Sequence, residues 1–247
     1  MKKLEVIKVG GAVVEDPVAL GLFLDAIAAN PHDKVLVHGG GRTATDVAAK
    51  LGIETRMVAG RRITDADMLS VVTMVYGGLV NKNVVASLQA EGVNAIGLTG
   101  ADMCCMLAGK RPVKDIDYGF VGDMKKVDGQ AIARLVEAGF TPVMAPLTYD
   151  GMGGLLNTNA DTIASEVAKA LAPLYDVTLN FYFEKSGVLL DPSDESSKLD
   201  SIDRAQFDRL VAEGVIAGGM IPKLQNAFAA LENGVGKVCI SGTKVTL

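Results

Sequence analysis

The chain has 247 residues, of which 49% are hydrophobic, and a formal net charge of -5. This length allows one large α/β domain or two modest lobes, with enough apolar residues for a full core. The acidic balance argues against the basic footprint that nucleic-acid binding needs, so no nucleic-acid partner is expected.

The three cysteines indicate a reducing compartment. Their number is odd, and Cys104 and Cys105 are adjacent, which rarely allows the geometry of a disulfide bridge. The start at Met1 leads directly into a strand, without an apolar stretch of signal-peptide length, and no run of 18 apolar residues follows. We therefore expect a cytoplasmic protein with no membrane partner.

Short apolar runs alternate with helix-length segments along the chain. The predicted strands are 4–9, 34–37, 94–98, 141–145 and 177–183, and the predicted helices are 17–30, 43–51, 65–92, 129–138, 159–171, 204–213 and 221–233. This alternation predicts an α/β fold: a three-layer αβα sandwich around a central, mostly parallel sheet.

Three features interrupt the alternation. Gly77 and Gly78 lie in the middle of the long helix 65–92, which indicates either a kink over the core or a close helix crossing at a subunit interface. The segment 115–129 alternates apolar and polar residues around two glycines and predicts a hairpin over a site. A lobe boundary is expected near Ala172-Pro173, giving lobes 1–172 and 173–247.

Glycines follow the first two predicted strands. Gly10 and Gly11 come after "VIKV", and "VHGGGR" ends the second strand with three glycines. Ligands of α/β sheets bind at the carboxyl ends of strands, and glycine there brings backbone N–H groups close to a phosphate or carboxylate. Tight turns alone would also explain the glycines. Neither cluster matches a P-loop or a dinucleotide fingerprint.

Two lysines have similar glycine-rich surroundings. Lys8 lies near the end of the first strand, and Lys223 lies in the first turn of a helix behind Gly218-Gly219. An ammonium at a helix N-terminus opposes the helix dipole, which is easier to explain if an anion lies between them. The alternatives are a lysine that extends to solvent from a strand edge and an ordinary surface lysine.

Polar residues occur close together in two further places: the segment "LLNTNAD", and the arginine pair before the long helix. Asn157, Asn159 and Asp161 are more than one helix cap requires, and Asp161 could hold one or both lysines. Arg62, beside Arg61, offers a guanidinium fork that suits a carboxylate, although both could be solvated surface arginines. His38 is interpreted as a packed histidine. With no clear nucleophile or metal-ligand cluster, this set of residues suits phosphoryl transfer.

The ordered motifs along nearly the whole chain resemble the amino-acid kinase family. They are "IKVGG", "VHGGGR", "GRRIT", "NKN", "LTGAD", "GFVGD", "LNTNAD", "SGVL" and "GGMIPK". The resemblance implies the amino-acid kinase fold and transfer of a phosphoryl group from ATP, with Mg²⁺ on the nucleotide phosphates, to the side-chain carboxylate of an N-acylated glutamate in arginine biosynthesis.

The resemblance also assigns roles to individual residues. Lys8 and Lys223 would neutralise the transferring group, Asp161 would hold both lysines, and Gly10, Gly11 and Gly40 would donate N–H groups. Residues matching the acyl-glutamate contacts are Gly40, Gly41, Arg62, Asn157 and Asn159, with Arg62 on the α-carboxylate. Residues matching the nucleotide side of the C-terminal lobe are Glu184, Ser186, Gly187, Gly218, Gly219 and Met220.

Several alternatives stay open. Relatives usually carry a serine-aspartate-valine run where this chain has "FYFEK", and the tail after Val238 is shorter than theirs. The resemblance implies a homodimer that contacts through the long helix, and the early first strand favours insensitivity to arginine. Acetyl and succinyl acceptors are not distinguished. The rival functions are an aspartate, glutamate, carbamate or UMP kinase, a non-catalytic sensor and a nicotinamide-dependent oxidoreductase.

Overall fold

The computed structural model describes residues 1–58 and 60–247. Its strands are β1 Lys3–Val9, β2 Asp33–His38, β3 Met57–Val58, β4 Arg61–Arg62, β5 Ala95–Leu98, β6 Met106–Lys110, β7 Gly122–Val127, β8 Thr141–Met144, β9 Leu147–Tyr149, β10 Leu155–Asn157, β11 Asp176–Tyr182, β12 Ser201–Ile202, β13 Lys237–Ile240 and β14 Thr243–Val245.

The helices follow the predicted segments closely. They are α1 Gly11–Glu15, α2 Pro17–Ala29, α3 Gly41–Lys50, α4 Ala66–Val72, α5 Asn81–Ala90, α6 Gly129–Glu137, α7 Ala160–Leu171, α8 Arg204–Ala212 and α9 Met220–Glu232. A π-helical segment, Thr73–Val80, joins α4 to α5, and single 3₁₀ turns lie at Asp102–Cys104 and Glu195–Ser197. The short helix α1 is an addition to the sequence prediction.

The central sheet has eight strands in the order β12-β14-β13-β11-β1-β2-β8-β5. Its neighbouring strands run parallel except for the antiparallel pair β13–β14. The predicted mostly parallel α/β fold is therefore confirmed. The predicted lobe boundary falls between α7 and β11, and β11 pairs directly with β1, so one sheet continues through both segments.

Successive residues of β1 pack into different layers, as the two-residue period of a strand requires. Val6 belongs to a core shared with α6, α7 and α9, whereas Ile7 packs in a separate core with Phe23 of α2 and Leu88 of α5. Helices therefore cover both faces of the sheet around β1. Lys8 follows the alternation of Val6, which directs its side chain to the face that carries α7 and α9.

A second sheet of four strands, in the order β10-β9-β6-β7, lies outside the central one. The hairpin predicted within residues 115–129 is wrong, because β7 pairs with the earlier strand β6. The reason is a competing contact: the Thr64 N–H donates to Tyr118 O at 2.9 Å, and the Phe120 N–H donates to Thr64 O at 2.6 Å. These bonds occupy backbone groups that a local hairpin would need.

The long helix Ala66–Ala90 has 25 residues and is apolar enough to cross a membrane by length and composition alone, and 44% of its most apolar 18-residue stretch is buried inside the protein. Core helices of soluble proteins share this length and composition. Its two glycines lie in the π-helical segment. A Cβ on Gly77 would approach Leu147 Cδ1 to 3.3 Å, whereas Gly78 has open space around it. Gly77 therefore permits close packing against β9.

Candidate functional site

The two glycine turns meet at the carboxyl ends of β1 and β2, where Val9 lies opposite His38. The Gly39 N–H donates to Val9 O at 3.1 Å, and a Cβ on Gly39 would lie 2.8 Å from Gly11 N. Gly40 has φ +151°, which residues with side chains rarely adopt. The glycines at 39 and 40 are thus required by contact between two backbones and by local conformation.

The N–H groups of these turns differ in availability. Gly10 N–H donates to Tyr182 O at 2.8 Å, so the expectation that it donates to a phosphate is corrected here: its proton is already used to join β1 to β11. For Gly11 and Gly40, no acceptor of the N–H is found among residues 1–58 and 60–247. A Cβ on Gly11 would lie 3.3 Å from Gly40 N, so these two available donors are neighbours.

Asp161 joins the two candidate lysines. It lies in the first turn of α7, and its Oδ1 is 2.9 Å from Lys8 Nζ, while its Oδ2 is 2.7 Å from Lys223 Nζ. The Lys223 contact is a hydrogen bond, whereas the Lys8 contact is an ion pair outside hydrogen-bond geometry. Both lysines are buried, at 9% and 8% exposure. The structure thus brings together three groups predicted from distant parts of the chain.

Burial and charge act in opposite directions on this cluster. Burial alone would raise the pKa of Asp161, but the two lysine charges outweigh it and hold that pKa below its ordinary value. Burial also lowers the pKa of Lys223, which Asp161 partly offsets and Lys8 reinforces. The rings of Phe181 and Phe183, at 5.2 and 5.5 Å from Lys223 Nζ, add cation–π stabilisation. Two ammonium groups facing one carboxylate leave an excess of positive charge.

A cavity of about 200 Å³ contains all the predicted acceptor-binding residues. Its walls are the turn at Gly39–Gly41, the strand β4, Tyr76 of the long helix and the segment from Asn157 to Ala160. Sequence reasoning missed Tyr76, which has no local signal, because its place at the cavity depends on how the long helix packs. The predicted residues Gly40, Gly41, Arg62, Asn157 and Asn159 therefore share one cavity.

Arg62 is held firmly in this cavity at 7% exposure. Its Nη2 donates to Gly41 O at 2.7 Å and to Thr45 Oγ1 at 3.0 Å, and its Nη1 donates to Thr55 Oγ1 at 3.1 Å. The guanidinium therefore has a fixed orientation against the glycine turn. Arg61 also lines the cavity, and no hydrogen bond from its guanidinium is found in the described part of the chain.

The two asparagines have different bonding. Asn157 is buried, and its Nδ2 donates to Thr64 Oγ1 at 2.9 Å. Asn159 is exposed and caps α7, with its Oδ1 accepting from the Thr162 N–H at 3.1 Å. The cap explains why the sequence places asparagine at 159. Asn157 lines the cavity, and no hydrogen bond to its Oδ1 is found in the described structure, whereas the Asn159 oxygen is already used.

The predicted nucleotide-side residues do not share one cavity. Glu184 and Ser186 are exposed and line a groove of about 480 Å³ between α2 and β11. Gly187 and Met220 line a separate cavity of about 160 Å³. Gly219 caps α9, and Gly218 precedes it with φ +56°. The charge of Glu184 makes only the smallest contribution to the pKa of Lys223, which burial lowers, by weakly opposing that effect.

The match to known proteins covers nearly all of this architecture. A model of the Amino acid kinase family matches residues 3–242. The chain therefore belongs to the amino acid kinase family.

Within this family, the chain is similar in sequence to several proteins that carry one name. The chain is 62% identical over 240 residues to a protein named acetylglutamate kinase from Bacteroides thetaiotaomicron, which covers 97% of this chain and 93% of the relative. It is 55% identical over 241 residues to one from Cytophaga hutchinsonii, at 97% and 91% coverage.

Solved structures share the fold. The crystal structure of smu.665 from Streptococcus mutans aligns with a TM-score of 0.82 at 29% identity, over 98% of both chains. N-acetylglutamate synthase from Neisseria gonorrhoeae aligns with the same TM-score of 0.82 at 22% identity, over 99% of this chain and 59% of that one. The second likeness supports the fold alone.

Proposed function

We propose that this protein transfers the γ-phosphoryl group of ATP to the side-chain carboxylate of N-acetyl-L-glutamate, or of another N-acyl-L-glutamate, as the second step of arginine biosynthesis. The observation that carries the proposal is the bridging of Lys8 and Lys223 by Asp161 beside the available N–H groups of Gly11 and Gly40. Relatives about 60% identical over almost the whole chain are named acetylglutamate kinase.

The reaction needs no nucleophile from the protein. A side-chain carboxylate oxygen of the acceptor attacks the γ-phosphorus, the bond from phosphorus to the β–γ bridging oxygen breaks, and ADP leaves with that electron pair. The product is an acyl phosphate. Negative charge spreads over the transferring group, and the ammonium groups of Lys8 and Lys223 neutralise it. Asp161 holds both ammonium groups in place throughout.

The acceptor binds in the cavity of about 200 Å³. Arg62, whose guanidinium is already oriented by Gly41 and Thr45, neutralises the α-carboxylate, which pairs with it by replacing one of these bonds. Asn157 contacts the substrate through its amide oxygen. Gly40 and Gly41 form the floor under the reacting carboxylate. Because these protein groups are in place before binding, little free energy is lost to ordering the protein when the substrate binds.

The nucleotide lies against the C-terminal lobe, residues 173–247. Its phosphates approach the N-terminus of α9, where Gly218, Gly219 and Met220 precede Lys223. Among residues 1–58 and 60–247 there is no group of three His, Cys, Asp or Glu side chains suited to a metal ion. We assign Mg²⁺ mainly to the nucleotide phosphates, where it would neutralise their charge.

A homodimer is proposed through the outer face of the long helix. Met74 and Leu79 are 54% and 49% exposed there, and the bare backbone at Gly78 allows close approach of a partner. Light scattering should give twice the chain mass, and Met74→Glu with Leu79→Glu should give monomers. A stable monomer of the unmodified protein would contradict the assignment.

Compartment is proposed from the thiols. Cys104, Cys105 and Cys239 are all free, which suits the reducing conditions of the cytoplasm.

The decisive experiment measures ADP release with ATP and one acceptor at a time. The acceptors are N-acetyl-L-glutamate, N-succinyl-L-glutamate, L-glutamate, L-aspartate, carbamate and UMP, with ATP alone as the control. We expect turnover with an N-acyl-L-glutamate and little with the others. Turnover with free aspartate alone would contradict the acceptor, and no turnover with any of them would favour a non-catalytic sensor.

A further inference from the structure

His38 connects the glycine turn to the long helix. It ends β2 and is completely buried, with its Nδ1 2.7 Å from Gly39 O and its Nε2 3.1 Å from Asn81 Nδ2. The same Asn81 nitrogen donates to Val143 O at 2.9 Å. A chain of contacts therefore runs from β8 through Asn81 and His38 to the backbone of the glycine turn.

The hydrogen-bond partners determine where the proton lies on the imidazole. A carbonyl oxygen can only accept, so Nδ1 must carry the proton that is donated to Gly39 O. Nε2 is then the acceptor for the amide of Asn81. Burial lowers the pKa of His38 to about 4, so the ring stays neutral near pH 7 and keeps this single tautomer.

The contact with Gly39 O restrains the peptide between Gly39 and Gly40, whose own carbonyl and N–H have no other hydrogen-bond partner among the described residues. The flanking groups are held separately, because the Gly39 N–H donates to Val9 O and Gly40 O accepts from the Ala44 N–H at 3.1 Å. In a trans peptide the carbonyl and the next N–H point in opposite directions. Holding Gly39 O toward the imidazole therefore holds the Gly40 N–H on the other side, next to Gly11.

Asn81 is buried although its side-chain oxygen has no hydrogen-bond partner in the described part of the chain. It is 1% exposed, and its Oδ1 has no hydrogen-bond partner among the described residues. A Cβ on Gly97 would lie 1.8 Å from this oxygen, so even the neighbouring strand is adapted to the amide. An unpaired buried acceptor destabilises a fold. The amide nitrogen must therefore contribute something that an apolar residue would not.

We propose that His38 is a positioning residue that locks the Gly39–Gly40 peptide, so that the Gly40 N–H faces the phosphoryl group and the acceptor carboxylate during transfer. Asn81 in turn fixes the imidazole through Nε2. This inference rests on the proposed phosphoryl transfer and deepens it. The imidazole itself stays neutral and does not exchange a proton with substrate.

Two variants of His38 separate the effect of its hydrogen bond to Gly39 O from the effect of its packing. An asparagine amide nitrogen takes the place of Nδ1 and can still donate to Gly39 O, whereas a glutamine amide takes the place of Nε2 and cannot. Both remove the buried ring. We expect His38→Gln to lower kcat by about 10²-fold with little change in KM for ATP, because the Gly40 N–H, which His38 positions, acts mainly in the transition state. His38→Asn should recover most of this loss.

Equal losses of kcat in the two variants, matched by equal losses in thermal stability, would overturn the proposal. A measurement on the unmodified protein keeps the test independent of variant folding: the ¹⁵N spectrum of its two histidines should show His38 with a protonated Nδ1 and a bare Nε2. The opposite tautomer would also overturn it. Calorimetry of ATP binding needs no acceptor, so it can be measured even if the proposed acceptor is wrong. It therefore separates failure of the His38 proposal from failure of the proposed function.

Discussion

The proposed acceptor side and the proposed nucleotide side of the site are built differently. Arg62 and Asn157 are buried and held by hydrogen bonds to the protein, whereas Glu184 and Ser186 are exposed on a wide groove. A buried polar group must find its partners when the chain folds, while an exposed one can stay hydrated until a ligand arrives. We therefore expect the proposed acceptor side to be preorganised at Arg62 and Asn157, and the proposed nucleotide side to require ordering at Glu184.

The largest effect is expected at the lysine cluster between the two sides. Lys8→Met should lower kcat by roughly 10²- to 10³-fold, because a charge aimed at the transferring group is lost while an apolar side chain fills the space. Steady-state kinetics would measure the loss of kcat, and thermal unfolding would show whether the variant keeps its stability. Lys34→Met is the matched control, since the acceptors found for this buried lysine of β2 within the described chain are Ile27 O and Asn30 O. Turnover unaffected by Lys8→Met would remove the assigned role.

The next effect concerns the preorganised acceptor side. Arg62→Lys should lower kcat/KM for N-acetyl-L-glutamate by about 10- to 100-fold, because the guanidinium fork and hydrogen bonds worth about 1.5–3 kcal/mol are lost. KM for ATP should stay unchanged. Arg61→Lys is the control, since Arg61 lines the same cavity without a hydrogen bond in the described structure. A larger effect at Arg61 than at Arg62 would reverse the assignment.

A pH dependence follows from the buried lysine of α9. Burial lowers the pKa of Lys223, so it loses its proton at a lower pH than an exposed lysine does. The charged form is the one that neutralises the phosphoryl group, so kcat should be full on the acid side of this pKa and fall as pH rises through it. A profile of kcat from neutral pH upward should show this alkaline decline before the ordinary lysine range, about 10.4. A flat profile through that range would contradict it.

The smallest effect is expected on the open nucleotide side. Glu184→Gln should change KM for ATP by less than about fivefold, because exposed charge interactions contribute about 0–1 kcal/mol. Lys185→Gln, at the neighbouring exposed position, is the control. A loss as large as that of Arg62→Lys would show that the nucleotide side is preorganised too, and the contrast between the two regions would then be wrong.

Much of the fold follows from local patterns. The five predicted strands and seven predicted helices all occur within one or two residues of their expected ends, because periodic burial and helix caps act over short stretches. The pairing of β7 with β6 was not predictable in this way. It depends on Thr64, which lies far away in sequence and occupies the backbone groups around Tyr118.

The candidate site divides along the same line. By itself the sequence determined which groups are present: two lysines beside glycines, an aspartate at a helix start and an arginine before another helix. The resemblance already implied that Asp161 would hold both lysines, but only the tertiary structure decided the geometry of that bridge, the use of the Gly10 N–H by Tyr182 and the contact of His38 with the Gly39 carbonyl. The physical reason is that hydrogen-bond partners are assigned by contacts between distant segments, which no local pattern encodes.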